Sequence, residues 1–177
     1  MSPRPAAAPA RLAEEHDTRG FRSGDDRLDG WLRHRALEQH EEGVTTFVLS
    51  DGGRVVGYYC LTRGAVEHTR AAPPRWRARR AALAPSDPIP ALLVGRLAVD
   101  ETVQGAGVGA RLLRDAVMRA ATVYRTAGLP LLLAHAPSPA ARGFYRHFGF
   151  TSTRLDPYLV ALALRHATAG PGPGPGG

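Results

Sequence analysis

Gln104-Gly105-Ala106-Gly107-Val108-Gly109-Ala110 decides the fold, because this glycine loop lies between an apolar run and a long amphipathic segment. The apolar run, residues 91–99, is typical of a central strand that is covered on both faces. Residues 108–127 carry apolar side chains at helical spacing, and Gly128 predicts the end of that helix. Glycines let the backbone approach an anion closely, and the amides of a first helical turn point at the same place. The stretch therefore predicts a strand, loop and helix that hold a pyrophosphate.

Three kinds of nucleotide-binding loop have glycines in a similar arrangement. A Walker A loop requires a lysine, and the chain contains none, which excludes it. A dinucleotide fingerprint, Gly105-x-Gly107-x-x-Ala110, requires a carboxylate at the end of the next strand, where this chain has Ala134-His135-Ala136. The third pattern is Gln-x-x-Gly-x-Gly, formed by Gln104, Gly107 and Gly109. A plain glycine-rich turn without a ligand is the remaining alternative.

The patterns on both sides of the loop predict a mixed α/β domain in the order β-α-β-β-loop-β-α-β-α-β-β. A hairpin is expected because two strand patterns flank Asp51-Gly52-Gly53. Ser23 or Asp25 is expected to cap the first helix, and Ser138 the last. The predicted helices are 25–39, 108–127 and 139–148, the predicted strands are 44–49, 54–61, 91–99, 129–134, 150–153 and 158–164, and 64–90 is a long connection.

Length and composition bound the function classes. A chain of 177 residues suits one domain, here predicted at 11–167, between a disordered tail at 1–10 and a disordered Gly/Pro tail at 168–177. The single cysteine, Cys60, excludes an internal disulfide framework and a Cys-based zinc cluster, and the histidines have no metal-ligand spacing, so no metal is expected. Neither a membrane span nor a signal peptide is visible, which predicts a cytoplasmic protein.

All 23 basic residues are arginines, and the formal net charge is +7. The guanidinium group is a planar fork that suits phosphates and carboxylates. This charge predicts an anionic partner, which could be a nucleic acid, a nucleotide cofactor or an acidic protein.

Two motifs beside the glycine loop resemble those of the GNAT N-acetyltransferases. Arg96-Leu97-Ala98-Val99-Asp100 precedes the loop as in that family. Ala140 to Phe150, which includes Phe144-Tyr145 and Gly149-Phe150, resembles the family's second signature, A-x-x-F-Y-x-x-x-G-F. The resemblance implies the acyl-CoA N-acyltransferase fold, a central mixed sheet flanked by helices, and acetyl-CoA as the acyl donor.

Further stretches are similar to the GNAT toxins of bacterial type II toxin–antitoxin modules, which acetylate the amine of aminoacyl-tRNA and block translation. The stretches are Phe21 to Asp25, Leu28-Asp29 with Trp31-Leu32, Gly57-Tyr58-Tyr59 with Leu61, and Asp87 to Pro90. This resemblance implies aminoacyl-tRNA as the substrate and an antitoxin partner of the ribbon-helix-helix type. Toxins of this kind commonly form dimers, so a homodimer is a further expectation.

The resemblance also assigns roles to individual residues. Leu97, Ala98 and Val99 would lie along the pantetheine arm and the thioester, and Gln104 to Ala110 would hold the pyrophosphate. Tyr145 matches the general acid, and its phenol has a pKa close to that of the leaving thiol. The alternative for Tyr145 is an aromatic side chain in the core. His135 is a candidate general base, although the weakly basic amine of an aminoacyl ester removes the need for one.

Arginines cluster around an aromatic residue in the long connection. Arg75, Arg77, Arg79 and Arg80 surround Trp76, a composition that suits RNA phosphates and a stacked base. The alternative is a solvated loop in an arginine-rich protein. Arg96 lies in a buried strand beside the glycine loop, where it needs a partner or an anion, and it is therefore a further candidate for binding RNA or substrate at the wall of the site.

The sequence thus predicts an acetyl-CoA-dependent N-acetyltransferase whose acceptor is the α-amine of aminoacyl-tRNA. One alternative acceptor is a small-molecule amine or a protein N-terminus. Another alternative, from a different class, is a non-catalytic protein of this fold that binds RNA or an antitoxin.

Overall fold

The computed structural model of the protein describes residues 8–66, 88–153 and 156–167. In these ranges seven strands form one sheet in the order β1-β2-β3-β4-β5-β7-β6. The strands are β1 (Ala10–Arg11), β2 (Thr45–Asp51), β3 (Arg54–Val66), β4 (Ile89–Val99), β5 (Leu131–His135), β6 (Thr151–Ser152) and β7 (Leu159–Ala163). The helices are α1 (Asp26–His34), α2 (Val108–Ala127), α3 (Pro139–His147) and α4 (Leu164–Ala167), with 3₁₀ turns at Glu38–His40 and Glu101–Val103. The predicted mixed α/β architecture is confirmed.

The chain divides into two compact units. The first unit is Met1–Thr62 with Val94–Ala116, and the second is Arg63–Leu93 with Val117–Gly177. The predicted domain boundaries remain a prediction, and the tails at 1–7 and 168–177 lie outside the described residues. Ala10 falls within the predicted first tail, but it lies in β1 and pairs with Val48 of β2.

The hairpin of β2 and β3 organises the first unit. Gly52 and Gly53 have positive φ angles of 56° and 87°, which the turn between the strands requires. The two strands pair antiparallel, with a register shift between Leu49 and Ser50. Apolar side chains from the hairpin, from β4, from α1 with the stretches that flank it, and from the residue after β1 form one buried cluster: Leu12, Phe21, Trp31, Leu32, Ala36, Val48, Val55, Tyr58, Cys60 and Ala98.

The first helix is shorter than predicted. Its cap is Asp25, whose carboxylate accepts from the amides of Arg27 and Leu28. The predicted range 25–39 is wrong beyond His34, because Arg35 leaves the helical region with φ of −127°. The amides of Arg35 and Ala36 then both bond to the Trp31 carbonyl, which ends the helix and buries Ala36 in the cluster.

The first turns of α2 pack closely on the sheet at Gly57. A Cβ atom at this glycine would lie 2.9 Å from Leu112 Cδ1 and 3.0 Å from Val108 Cγ1. Because α2 begins at Val108, the absence of a side chain at Gly57 sets how near the sheet the helix starts.

In the second unit, β5 pairs antiparallel with β7, and their apolar side chains join those of β3 and β4 in a core of Val66, Ile89, Ala91, Leu131, Leu133 and Ala161. The predicted connection 64–90 is too long, because Gly64 to Val66 continue β3 and Ile89 already belongs to β4. The closing strands exist but are shorter than predicted. None of the helices in the described ranges is long and apolar enough to cross a membrane.

Candidate active site

The glycine loop has the backbone that its sequence predicts. Gly105 and Gly107 have positive φ angles of 78° and 81°, and a Cβ atom at either would meet no atom within 4 Å. Residues 104–107 are exposed, and α2 begins directly after them. The first amides of a helix have no acceptor within the helix and carry the positive end of its dipole. The open loop therefore fits the pyrophosphate of acetyl-CoA by backbone geometry.

Asp100 fixes the entrance to the loop. Its carboxylate is 1% exposed and accepts from the amide of Arg22 at 3.0 Å and from Arg54 Nη2 at 2.9 Å. The amide and the hydroxyl of Thr102 donate to the same carboxylate. Burial raises the pKa of Asp100, but the bonds from Thr102 and Arg22 and the charge of Arg54 outweigh it, and the pKa is lowered. Asp100 is therefore a buried anion that joins three stretches of chain.

The side chain of Gln104 hydrogen-bonds to the protein backbone. Its Nε2 donates to the carbonyls of Ser23 and Val99, both at 2.9 Å. Among the three predicted pantetheine residues, Ala98 is buried in the core, whereas Leu97 and Val99 are half-buried. The side chain of Ala98 thus belongs to the core, and any contact with a ligand there is left to the backbone.

Arg96 finds an aromatic partner. Its guanidinium carbon lies 4.3 Å from the centre of the Trp31 ring, a cation–π contact. Burial raises the pKa of the Cys60 thiol, and the nearby Arg96 opposes that rise. Cys60 lies in the core, as its apolar strand predicts.

Tyr145 belongs to the second unit and lies near the end of α3. The helix starts with Ser138 as its cap, and the Ser138 hydroxyl accepts from the Ala141 amide at 3.1 Å, as the sequence predicts. Tyr145 is 7% exposed, and its ring packs edge-on against Phe144 and Phe150. The ring of Tyr145 thus packs as a core aromatic does, and its role as the general acid stays a prediction.

Among the other predicted site residues, the structure describes His135 but not the arginine cluster of the long connection. His135 ends β5 in an exposed position, with its ring 6.1 Å from that of Tyr158. Arg75, Trp76, Arg77, Arg79 and Arg80 lie outside the described residues. Sequence reasoning gave Ser23 only a possible capping role and gave none to Asp29 or Arg54. Ser23 bonds to Gln104 across 81 residues and Arg54 bonds to Asp100 across 46 residues, and contacts between such distant stretches leave no periodic signal.

Comparisons with known proteins agree with this geometry. Residues 42–152 match the family described as Acetyltransferase (GNAT) domain. A curated relative, the tRNA-acetylating toxin of Mycobacterium tuberculosis (strain ATCC 25618 / H37Rv), is 42% identical over 164 residues, which cover 92% of this chain and 95% of the relative.

Solved structures share the fold. The crystal structure of AtaTR bound with AcCoA is 25% identical with a TM-score of 0.76, covering 91% of this chain and 95% of the other. AtaT complexed with acetyl-methionyl-tRNAfMet is 23% identical with a TM-score of 0.81, covering 91% of this chain and 96% of the other. The fold predicted from the sequence is confirmed, and the chain belongs to the GNAT acetyltransferase family.

Proposed function

We propose that this protein transfers the acetyl group of acetyl-CoA to the α-amino group of aminoacyl-tRNA and thereby blocks translation. The observation that carries the proposal is the 42% identity, over 92% of the chain, to a tRNA-acetylating toxin. Acetyl-CoA and charged tRNA are both cytoplasmic, so the protein would act in the cytoplasm. An antitoxin of the ribbon-helix-helix type and a second copy of the chain are its proposed partners.

The glycine loop has the chemistry to hold the donor. Its exposed backbone and the first amides of α2 would bind the pyrophosphate, and the backbone of Leu97 and Val99 would border the pantetheine arm and thioester. The loop side chains contribute little charge, since residues 104–110 contain no arginine. Donor binding would therefore depend on backbone geometry more than on ion pairs.

The chemical step requires an attack and a proton donation. The acceptor amine attacks the thioester carbonyl, and the carbon–sulfur bond then breaks as the amide forms. We assign the Tyr145 hydroxyl as the acid that protonates the departing thiolate, because the pKa values of a phenol and an alkyl thiol are close. The amine gives its proton to water, and a dedicated base is not required.

The test is transfer of label from radiolabelled acetyl-CoA to total charged tRNA, by wild-type protein and by Tyr145→Phe. We expect wild-type protein to label the tRNA, and mild deacylation to release the label with the amino acid. Tyr145→Phe should lower kcat by about 100-fold or more, because only the acid is lost. Its affinity for acetyl-CoA should stay within about twofold, a shift that corresponds to a few tenths of a kcal/mol.

Tyr124→Phe is the matched control, since Tyr124 is a half-buried tyrosine in α2 that has no proposed role. It should retain wild-type activity. Label that appears on small amines or on protein N-termini, with none on tRNA, would transfer the proposal to that acceptor. Full labelling of tRNA by Tyr145→Phe would remove Tyr145 from the role of acid.

A further inference from the structure

Arg22 and Ser23, which lie shortly before α1, are hydrogen-bonded to the stretch of chain that leads into the glycine loop. The amide of Arg22 donates to Asp100, and the carbonyl of Arg22 accepts from the Glu101 amide at 2.7 Å. The Ser23 carbonyl accepts from Gln104 Nε2 at 2.9 Å. Three hydrogen bonds thus connect positions that lie about 80 residues apart in the chain.

The Gln104 amide has no donor left for a phosphate. A glutamine side chain carries two N–H bonds, and here they are directed at the carbonyls of Ser23 and Val99. Its remaining polar atom, Oε1, is an acceptor and cannot bond to an anionic oxygen. In this arrangement Gln104 shapes the glycine loop, and the anion is left to backbone amides.

Ser23 is itself anchored by a buried carboxylate in α1. Asp29 is 3% exposed, and one of its oxygens accepts from the amide of Ser23 at 2.9 Å and from its hydroxyl at 2.6 Å. Buried carboxylates are costly unless they are hydrogen-bonded, so these contacts hold Asp29 in place as much as they hold Ser23. A continuous path of hydrogen bonds runs from α1 through Ser23 to Gln104.

We infer that Asp29 and Ser23 are positioning residues for donor binding, which act on the glycine loop through Gln104. The inference rests on the proposed function, because it takes the loop to be the pyrophosphate site. If Asp29 is removed, Ser23 loses both of its bonds to that carboxylate and keeps the longer contact of its hydroxyl, which accepts from the Asp25 amide at 3.3 Å. The Ser23 carbonyl then no longer holds Gln104 in one position. Donor affinity should therefore fall, although neither residue contacts the donor.

The experiment compares Asp29→Ala with Asp26→Ala by calorimetric titration with acetyl-CoA in the absence of an acceptor. Both changes remove one negative charge from the first half of α1, but Asp26 is exposed. We expect Asp29→Ala to weaken binding by roughly tenfold, the net effect of about one hydrogen bond. Asp26→Ala should bind as wild type does. Ser23→Ala, which deletes only the hydroxyl, is the milder variant to use if Asp29→Ala does not fold, with an expected loss of about threefold.

A double-mutant cycle tests the route through Gln104. Gln104→Met keeps the length of the side chain and removes both donors. If the path is correct, adding Asp29→Ala to Gln104→Met causes little further loss of affinity, because contacting residues are coupled. Full additivity of the two losses would overturn the route, and so would wild-type affinity in both Asp29→Ala and Ser23→Ala. Wild-type protein that does not bind acetyl-CoA would instead overturn the proposed function together with this inference.

Discussion

Asp100 shows at the residue scale how one buried charge supports a binding loop. Its hydrogen bonds to Arg22, Arg54 and Thr102 exist only in the folded chain, and they outweigh burial and lower its pKa. A carboxyl whose pKa is lower in the folded state adds stability above its unfolded pKa, about 3.9, and this stability is lost as the pH falls through the folded value. The contribution of Asp100 should therefore be complete at neutral pH and disappear in acid.

We expect Asp100→Asn to lower the free energy of unfolding by about 1–3 kcal/mol at pH 7, because an amide cannot accept all of the bonds that the carboxylate accepts. The difference from wild type should begin to shrink as the pH falls below about 4, where the carboxyl of the unfolded wild-type chain takes up a proton, and should shrink further as the pH approaches the lower pKa of the folded carboxyl. Urea unfolding across pH 3–7 measures it, with Asp51→Asn as the exposed control. A difference that stays constant across this range would contradict the assigned charge.

At the scale of the secondary-structure element, two glycines differ in the space that surrounds them. Gly30 lies inside α1, and a Cβ atom there would meet nothing within 4 Å. Gly57 in β3 lies under Val108 and Leu112, where a Cβ atom would come within about 3 Å of both side chains. The same added methyl group should therefore act in opposite directions.

We expect Gly30→Ala to stabilise the protein by about 0.5–1 kcal/mol, because alanine restricts the unfolded chain and suits a helix. Gly57→Ala should destabilise it by about 1–3 kcal/mol and should also weaken acetyl-CoA binding, because the start of α2 must shift. Thermal unfolding and titration with acetyl-CoA measure both effects. If Gly57→Ala were as stable as wild type and bound the donor equally well, the close packing would have no role in shaping the loop.

Local patterns predicted some elements well and others poorly. The bounds of α2 were predicted correctly, because its apolar spacing is regular and Gly128, with a φ of 69°, stops it. The hairpin and the cap of α3 followed from Gly52-Gly53 and Ser138 in the same way. The end of α1 was not predicted, because Ala36 keeps helical spacing while tertiary packing draws it into the core.

The candidate site was predicted only in part. The glycine loop and Tyr145 lie in short contiguous motifs, so the sequence shows them. The contacts of Asp100, Gln104 and Ser23 join distant stretches of chain, and the hydrogen-bond partners of a side chain cannot be derived from its neighbours in sequence. The roles of the predicted site residues remain predictions that the variants above test.

The charge of the whole molecule concerns the acceptor more than the donor. The net charge is +7 and arginine supplies all of the Lys/Arg positive charges, which suits binding to a polyanion. Binding of tRNA releases counterions, and its affinity should fall by roughly tenfold or more between 50 and 200 mM salt. The affinity for acetyl-CoA, a small ligand that we propose is held by backbone amides, should change far less over the same range.

Titrations of charged tRNA and of acetyl-CoA at several salt concentrations measure this difference. The titration with acetyl-CoA is the internal control, because an unchanged affinity for this small ligand shows that the protein stays folded at every salt concentration. If the affinity for charged tRNA does not fall with salt, the arginines do not form its binding surface, and the net charge gives no support to tRNA as the acceptor.

The ring of Trp31 is stacked on Tyr58 and covered by Arg96, and its Nε1 donates to Gln39. An indole enclosed in this way emits at shorter wavelength than one in water, and its emission changes when the ring is released. The chain contains two tryptophans, Trp31 and Trp76, so Trp76→Phe leaves Trp31 as the only source of tryptophan emission. Because Trp31 is two residues from Asp29, the protein contains its own optical probe within α1.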